Sequence, residues 1–232
     1  MATHETSFFR DPKFFATLRD AVLPALIAKR ERERRLRIWC AASSSGQEPY
    51  SVLFMLREQF PQLANWRVQV VATDFSREMQ ARTREGRYTQ MEINRGLPAR
   101  TLVRFFDRQG LEWQVKPEVR AALEVCEVNL VEPWQGLGDL DIVLLRNVLI
   151  YFDQDTKREV MARVHAALRP DGFLFLGSAE APCLGDTSFK RSQDEHANCF
   201  QPVATRAATR PRPSGAAATP LRPIRTPAPP RP

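Results

Sequence analysis

The sequence predicts an open α/β fold with a largely parallel sheet, and three apolar runs carry this prediction. Leu36–Ala42, Val68–Asp74 and Asp141–Leu145 are rich in β-branched, aromatic and aliphatic residues and have the length of buried strands. After the first run, Pro49 begins a segment whose apolar residues recur at helical spacing. Because strands that alternate with helices form parallel sheets, we expect these runs to lie side by side.

Polar residues follow each predicted strand. The turn Ser43–Glu48 follows the first strand, Asp74 ends the second, and Arg146-Asn147 follows the third. Ligands of open α/β sheets bind beyond the carboxyl ends of the strands, and an acid after the second strand binds a ribose in nucleotide-type units. Gly46 stands alone where the dinucleotide fingerprint needs three glycines, so a pyrophosphate cradle is not expected.

The N-terminal segment has helical periodicity. Apolar residues recur at helical spacing from Phe8 to Leu18, Pro12 suits a first turn, and Pro24 is expected to kink or restart the helix. The mixed-charge run Lys29–Arg37 is interpreted as a solvated helix face, with an acidic partner as the alternative.

Helix ends are predicted from capping residues at two later places. Ser76 can cap the helix that follows Asp74, and Gly86 is expected to end it. Thr156 and Glu159 fit a capping box before a helix with one apolar face.

Between these two helices the strand–helix alternation is interrupted. Leu97–Phe106 has the pattern of a short amphipathic helix, and Leu111–Val115 and Leu123–Val128 have the pattern of strands. We interpret residues 89–128, approximately, as a small inserted β-hairpin subdomain.

The chain after the central helix is predicted to complete the sheet. Pro170-Asp171-Gly172 should turn it into a strand at Phe173–Gly177. Phe189 and Ala197–Val203 are expected to close the sheet as an antiparallel pair.

Composition divides the 232 residues into one folded domain and a tail. The 29 residues 204–232 hold eight Pro and six Arg and no acid, so we expect a disordered or polyproline tail, with an acidic or membrane-surface contact as the alternative. Residues 1–203 therefore hold only +1 of the net charge of +7, and no nucleic-acid partner is expected.

The cysteines predict a reducing, cytoplasmic location. Cys40, Cys126, Cys183 and Cys199 form no Cys-x-x-Cys pair, and with only three His they indicate no metal site. No apolar run has membrane-spanning length, and the polar Thr3–Thr6 does not resemble a signal peptide.

Five short motifs point to one family. They are Thr6-Ser7-Phe8-Phe9-Arg10, Ser45-Gly46-Gln47-Glu48-Pro49-Tyr50-Ser51, Ala72-Thr73-Asp74, Asn129-Leu130 and Arg146-Asn147-Val148-Leu149-Ile150-Tyr151-Phe152. In this order, from Thr6 to about Phe200, the chain resembles the chemotaxis receptor glutamate methyltransferases of the CheR type. The resemblance implies a Rossmann-like, class I S-adenosylmethionine-dependent methyltransferase sheet, with S-adenosyl-L-methionine as the cofactor and glutamate methyl esters on chemoreceptors as the product.

The resemblance also implies site residues. Arg146 and Tyr151 match the family's active-site pair, and Arg10 is a third catalytic candidate. Cofactor contacts are implied for His4, Thr6, Arg10, Glu48, Asp74, Asn129, Leu130, Arg146 and Asn147. Five of these residues have a scaffold alternative: Glu48 as a helix cap, Asp74 and Asn129 as turn residues, Arg10 as the partner of an acid, and Tyr151 as a core residue.

The sequence also departs from the family pattern. His4 stands where the family usually has Asn, Gln47 where it has Glu, and Gln80 and Thr83 where it has apolar residues. Only five residues precede Thr6, where the family carries a helical domain associated with receptor recognition.

The expected partner is the cytoplasmic domain of a chemoreceptor. The short link Asp107–Glu112 lacks the glycine-rich extension of the form that binds a C-terminal pentapeptide, so we expect tether-independent substrate use by a monomer. Two alternatives stay open: a non-catalytic cofactor-binding module docked to signalling arrays, and a methyltransferase for another carboxylate or a small molecule.

Overall fold

A seven-stranded sheet forms the centre of the protein. The computed structural model describes residues 6–180, 188–192 and 198–203, so His4, Cys183 and the tail 204–232 lie outside the described residues. The seven strands, numbered along the chain with three others that form a separate sheet, are β1 (Arg35–Ala41), β2 (Arg67–Asp74), β6 (Leu123–Glu127), β7 (Leu140–Leu145), β8 (Leu168–Leu176), β9 (Phe189–Arg191) and β10 (Cys199–Pro202).

The strand order is β6-β2-β1-β7-β8-β10-β9. The first five strands in this order pair in parallel, and β10 pairs antiparallel with β8 and with β9. The predicted antiparallel closure of the sheet is therefore confirmed. In β7 every residue is buried, as expected for a parallel strand covered on both faces.

Eight α-helices flank the two sheets in the described residues. They are α1 (Pro12–Thr17), α2 (Leu23–Arg30), α3 (Gln47–Gln59), α4 (Arg77–Glu85), α5 (Gln90–Asn94), α6 (Ala99–Phe105), α7 (Pro117–Arg120) and α8 (Gln154–Ala167). A π-helical segment, Leu18–Val22, joins α1 to α2, and α2 begins at Leu23, one residue before the predicted restart at Pro24. Ser76 caps α4, and Gly86 ends it in a left-handed conformation, also as predicted.

Two hydrophobic layers cover the two faces of the large sheet. Alternate residues of β1 enter different layers: Ile38 lies in the layer with α2 and α3, whereas Trp39 lies in the layer with α8. This alternation is what the two-residue period of a strand requires. Both faces of the sheet are therefore occupied, and a ligand can approach only at the ends or edges of the strands.

A second, three-stranded antiparallel sheet lies within the interruption of the alternation. Its strands are β3 (Arg87–Thr89), β4 (Phe106–Gln109) and β5 (Glu112–Val115), in the order β3-β5-β4. Phe8 packs edge-on against Tyr88 of β3, with ring centroids 4.9 Å apart, so the N-terminal segment is held by this small sheet.

Three sequence predictions are wrong in detail. The sequence pattern places Leu123–Val128 with the inserted strands, but β6 pairs in parallel with β2 at the edge of the large sheet. Helix α8 is capped by Asp153, which accepts from the Thr156 amide, and not by a box starting at Thr156. Strand β8 begins at Leu168, ahead of the predicted turn. The residues of that turn lie within β8, where its register against β7 is irregular.

The mixed-charge run Lys29–Arg37 is a solvated helix face only in part: Lys29 and the turn at residues 31–34 are exposed, but the run continues into a strand. Arg30 and Arg37 are both 5% exposed. Arg30 pairs with Asp141 at 2.8 Å and with Asp171 at 2.6 Å, and Asp141 also accepts from the Arg37 amide. Because a buried guanidinium needs carboxylate partners, this ion cluster ties α2 to the amino-terminal ends of β1 and β7.

Within the described part of the chain, no helix combines the length and apolar character needed to cross a membrane.

Candidate active site

A cavity of about 290 Å³ lies at the carboxyl ends of the four parallel strands β1, β2, β6 and β7. Ligands of doubly wound sheets bind at this edge, where the strand order reverses between β1 and β7. The residues that line it are Thr6, Ser7, Arg10, Phe15, Ala42, Ser43, Ser44, Glu48, Asp74, Phe75, Val128, Asn129, Leu130, Arg146, Asn147, Val148, Tyr151 and Phe152.

The predicted site residues meet in this cavity. The lining includes Thr6, Arg10, Glu48, Asp74, Asn129, Leu130, Arg146, Asn147 and Tyr151. His4 is the one predicted site residue that lies outside the described part of the chain. Residues far apart in the sequence thus converge on one cavity; the role of each remains a proposal.

Backbone strain is concentrated around the cavity. Of seven non-glycine residues with positive φ in the described segments, five lie in the loops that form it: Phe9, Asp11, Ala42, Ser44 and Asn147. Such a conformation costs about 1–3 kcal/mol per residue and persists where the surroundings enforce it, often at functional sites. The loops of this cavity are therefore held in unusual shapes by their contacts.

Arg146 is the charged centre of the site. Its side chain is 3% exposed, and it donates from Nη1 to Glu48 Oε2 at 2.6 Å and from Nη2 to Asp11 Oδ2 at 3.0 Å. The guanidinium also lies over the Phe14 ring, 4.3 Å from the centroid. One arginine thus connects the end of β7 to the start of α3 and to the N-terminal segment.

The remaining edge of this guanidinium has an unsatisfied donor. Arg146 Nε is buried and has no hydrogen-bond partner among the described residues. The Nε atoms of Arg35, Arg120 and Arg169 are in the same state, so this donor by itself does not mark a ligand contact. Cys40 is buried near the same ion pair. Burial raises the pKa of its thiol, and the nearby Glu48 raises this pKa further, so Cys40 remains a neutral thiol.

Asp74 holds the two loops nearest to it. Its Oδ2 accepts from the Ser44 amide at 2.8 Å and its Oδ1 from the Ser76 amide at 2.9 Å. The turn-residue interpretation therefore describes part of what Asp74 does. Each carboxylate oxygen can accept more than one hydrogen bond, so these contacts leave acceptor capacity toward the cavity.

The polar departures on α4 brace the same loops. Gln80 is 1% exposed and donates to the Asp74 carbonyl at 2.9 Å, and Thr83 is fully buried and donates to the Ser44 carbonyl at 3.0 Å. Thr83 also lies close to Gly46 (φ 93°), where an added Cβ would come within 2.8 Å of Thr83 Cγ2. These buried polar residues are therefore satisfied and fit the shape of this chain's own turn.

The walls of the cavity differ in polarity. Val128 and Leu130 are buried apolar residues of the β6 end, and Phe75 is 66% exposed at the end of β2. Asn129, between the two apolar residues, accepts from the Val131 amide and donates to Glu132, so its turn role is real as well. An apolar slot with one amide fits a flat heterocycle.

Two predicted catalytic residues have exposed side chains at the cavity. Tyr151 is 49% exposed, which excludes the interpretation that it is a core residue. Arg10 is exposed and lines the cavity from the N-terminal segment. Unlike the buried Arg146, these side chains lie where a macromolecular substrate can reach them.

Sequence reasoning missed two acids of the site. Asp11 pairs with Arg146 and accepts from the Phe14 amide as the cap of α1. Its signal was present, since an acid directly before a proline at a helix start is a typical N-cap. Glu180 is fully buried and accepts from the Asn147 amide, and no motif or periodicity marked it.

The residues of the cavity fit S-adenosylmethionine. The cofactor carries a carboxylate, an ammonium, ribose hydroxyls and an adenine, and the cavity is lined by the cation Arg10, two acids (Glu48 and Asp74) and an apolar slot. The strand order, the antiparallel strand β10 and the acid after β2 together define a class I S-adenosylmethionine-dependent methyltransferase domain.

Similarity to known proteins identifies the family. Residues 4–197 match the family described as CheR methyltransferase, SAM binding domain, and the chain belongs to this family. It is 44% identical over 185 residues to Chemotaxis protein methyltransferase 1 of Pseudomonas aeruginosa, a match that covers 78% of this chain and 67% of that protein. It is 42% identical over 186 residues to Chemotaxis protein methyltransferase Cher2 of Pseudomonas putida, with the same coverage.

The chain thus spans about two thirds of the length of these relatives. A more distant match among solved structures is the glycopeptide N-methyltransferase MtfA complexed with sinefungin, at 14% identity and a TM-score of 0.46, covering 84% of this chain and 59% of that one.

Proposed function

We propose that the protein transfers the methyl group of S-adenosylmethionine to glutamate side chains of chemoreceptors and forms methyl esters. The observation that carries the proposal is one cavity in which Glu48, Asp74 and the buried Arg146 lie together with the exposed Arg10 and Tyr151. The relatives are chemotaxis protein methyltransferases, and their names support the signalling context.

We assign each part of the cofactor to the lining residues whose charge and polarity match it. Asp74 would accept ribose hydroxyls, Asn129 and Leu130 would flank the adenine, and Glu48 and Thr6 would hold the methionine end. Arg146 and Asn147 would lie beside the sulfonium. When bound, the cofactor supplies an electrophilic methyl group.

The chemistry of a glutamate nucleophile requires no general base. A side-chain carboxylate has an ordinary pKa of about 4.3 and is ionised at neutral pH. The residues of the site have to remove water from it and aim one oxygen in line with the methyl–sulfur bond. A carboxylate held too tightly would be stabilised more in the ground state than in the transition state.

Arg10 and Tyr151 are the residues we assign to the substrate. Arg146 already donates to two acids and is 3% exposed, so it is poorly placed to take a third carboxylate through the same nitrogens. Arg10 and Tyr151 are exposed at the cavity, and a guanidinium with a phenol can orient one carboxylate. Arg146 instead sets the charge and shape of the site.

The test is a methylation assay with labelled cofactor and candidate receptor cytoplasmic fragments. We expect the receptor fragment to become labelled. Mild base should then release this label, because base hydrolyses methyl esters. A receptor fragment whose methyl-accepting glutamates are changed to alanine is the matched control and should stay unlabelled. Label that resists base would indicate methylation of another group.

A second arm separates the alternatives. Calorimetric titration with the demethylated cofactor measures binding without any substrate. Binding without methylation of any fragment would favour a non-catalytic signalling module, and methylation of free carboxylates alone would favour a small-molecule substrate.

A further inference from the structure

Glu180 is a buried acid whose carboxylate is satisfied by main-chain amides. Glu180 is 0% exposed. No Lys, Arg or His of the described residues forms an ion pair with it. Its Oε1 accepts from the Val148 and Leu149 amides, both at 2.7 Å. Its Oε2 accepts from the Gly177 amide at 2.6 Å and the Asn147 amide at 2.8 Å.

Three of these four amides are consecutive. Asn147, Val148 and Leu149 form the turn that leaves β7, and Asn147 has a left-handed backbone with φ 61°. Three successive N–H groups that converge on one anion form a concave anion-binding nest. Here the anion belongs to the chain itself, so the bonds offset the strain of Asn147 and make the turn rigid.

This turn is the connection between the two residues of the family's active-site pair. Arg146 directly precedes it, and the 3-10 turn Leu149–Tyr151, whose first amide binds Glu180, ends at Tyr151. Glu180 does not line the cavity, so it acts on the site through this backbone.

The fit around the carboxylate is close. A Cβ added at Gly177 would lie 2.6 Å from Glu180 Oε2 and 2.9 Å from Asn147 Nδ2. The end of β8 therefore has to carry a glycine for the acid to reach the turn after β7.

We infer that Glu180 is a positioning residue for methyl transfer, whose carboxylate shapes the turn Asn147–Leu149 and so places Arg146 and Tyr151 at the cavity. The inference rests on the proposed function. It predicts a role in turnover for a residue that contacts neither cofactor nor substrate.

The variant Glu180→Gln tests the inference most directly. The amide has the size of the acid but puts an NH₂ group against two backbone N–H groups, so two of the four bonds are lost. We expect kcat per folded molecule to fall by about tenfold or more, with KM for the receptor fragment changed less than threefold, while Glu180→Asp restores part of kcat because it keeps both acceptor oxygens. Glu159→Gln, the same change at an exposed acid of α8, should leave kcat unchanged.

Unaltered kcat in Glu180→Gln, or an equal fall in Glu159→Gln, would overturn the inference. If Glu180→Gln does not fold, Gly177→Ala displaces the same carboxylate while the acid is kept, and the same loss of kcat is expected. Parental turnover in a folded Gly177→Ala protein would then overturn it.

Hydrogen exchange separates this inference from the proposed function. The measurement needs no substrate. In Glu180→Gln, hydrogen-exchange protection should decrease more at the amides of residues 147–149 than at the amides of β7. Equal protection in variant and parent would overturn the positioning role. Failure of the parent to methylate receptors would instead overturn the proposed function, and the exchange result would still decide whether Glu180 shapes the turn.

Discussion

Arg146 and Glu48 form a 2.6 Å ion pair at the base of the cavity, 98 residues apart in sequence. The pair joins the end of β7 to the first turn of α3, the helix that follows β1. Because Arg146 is 3% exposed and Glu48 only 17% exposed at their side chains, the pair is largely shielded from water and weakly screened by salt.

Glu48→Gln should weaken both the fold and cofactor binding. The loss of one charge-assisted bond to a buried guanidinium is expected to lower the free energy of unfolding by about 1–3 kcal/mol, while Asp11 keeps Arg146 paired. Urea denaturation and calorimetry with the demethylated cofactor measure the two effects. Glu159→Gln is the control, and a Glu48→Gln protein as stable as its parent would contradict the importance of the pair.

Tyr151→Phe should affect turnover and nothing else. The side chain is half exposed, so removing its hydroxyl is expected to change stability by less than about 0.5 kcal/mol. If the hydroxyl orients the substrate carboxylate, kcat should fall by roughly tenfold or more with cofactor affinity unchanged. A cofactor titration paired with a methylation assay measures both quantities. Equal losses of affinity and rate would mean that Tyr151 merely holds the cofactor.

Arg146→Lys should lower the rate more than cofactor affinity. An ammonium keeps the charge but cannot bond Glu48 and Asp11 in the same planar geometry. We expect a rate loss on the order of 10², and a change in cofactor Kd below about tenfold, which is roughly 1.4 kcal/mol. The same paired assay measures both, and a larger loss in affinity than in rate would assign Arg146 to the cofactor alone.

Asp74→Asn should reduce cofactor affinity. The change retains one carbonyl acceptor for the Ser44 or Ser76 amide but removes the charge, at a cost of about 1.5–3 kcal/mol in charge-assisted bonds to the ribose. Calorimetry is the measurement, with thermal unfolding beside it to detect loosening of the loops. Parental affinity in a stable Asp74→Asn protein would exclude the ribose contact.

The ion cluster at the other end of the sheet predicts a pH dependence of stability. Hydrogen bonding to Arg30 lowers the pKa of Asp171 below its ordinary value, so its stabilising effect is complete above the unfolded pKa of about 3.9 and disappears as the pH falls through the lower, folded pKa. Stability should therefore decline below about pH 4.

Asp171→Asn should flatten this acid limb of the stability curve. The side chain is 37% exposed, so solvent screens the pair and high salt should reduce the difference from the parent. Urea titrations from pH 6 to pH 2.5, at low and high salt, provide the measurement. Curves of identical slope for variant and parent would show that Asp171 does not contribute.

The protein should not bind a receptor's C-terminal pentapeptide. The link between β4 and β5 is a two-residue turn at Gly110-Leu111, without a glycine-rich extension. Fluorescence anisotropy of a labelled pentapeptide is the test, with a scrambled peptide as the control. Saturable binding of the pentapeptide alone would establish tether-dependent substrate use.

Most of the site was predictable because strand ends are marked locally. Asp74, Arg146 and Asn147 each follow an apolar run, and parallel strands must present such ends at one edge. The placement of β6 was not predictable in the same way. A short strand of mixed polarity fits either sheet, and only its pairing with β2 decides between them.

The partners of buried arginines were also not predictable from the sequence. Lys29–Arg37 has the composition of a solvated surface, yet Arg30 is buried because Asp141 and Asp171 meet it from strands more than 100 residues away. Similarly, the sequence placed Arg146 at the site but could not indicate that Asp11 and Glu48 occupy its nitrogens.

The sequence by itself determined the α/β class, the central strand, the closing antiparallel pair and the motifs that meet in the cavity, because each depends on periodicity or on short-range turn chemistry. The tertiary structure decided which charges are buried, which sheet each marginal strand joins, and that Glu180 shapes the turn after β7. These outcomes depend on contacts between distant segments, whose free energies arise only when the chain has folded and water is excluded.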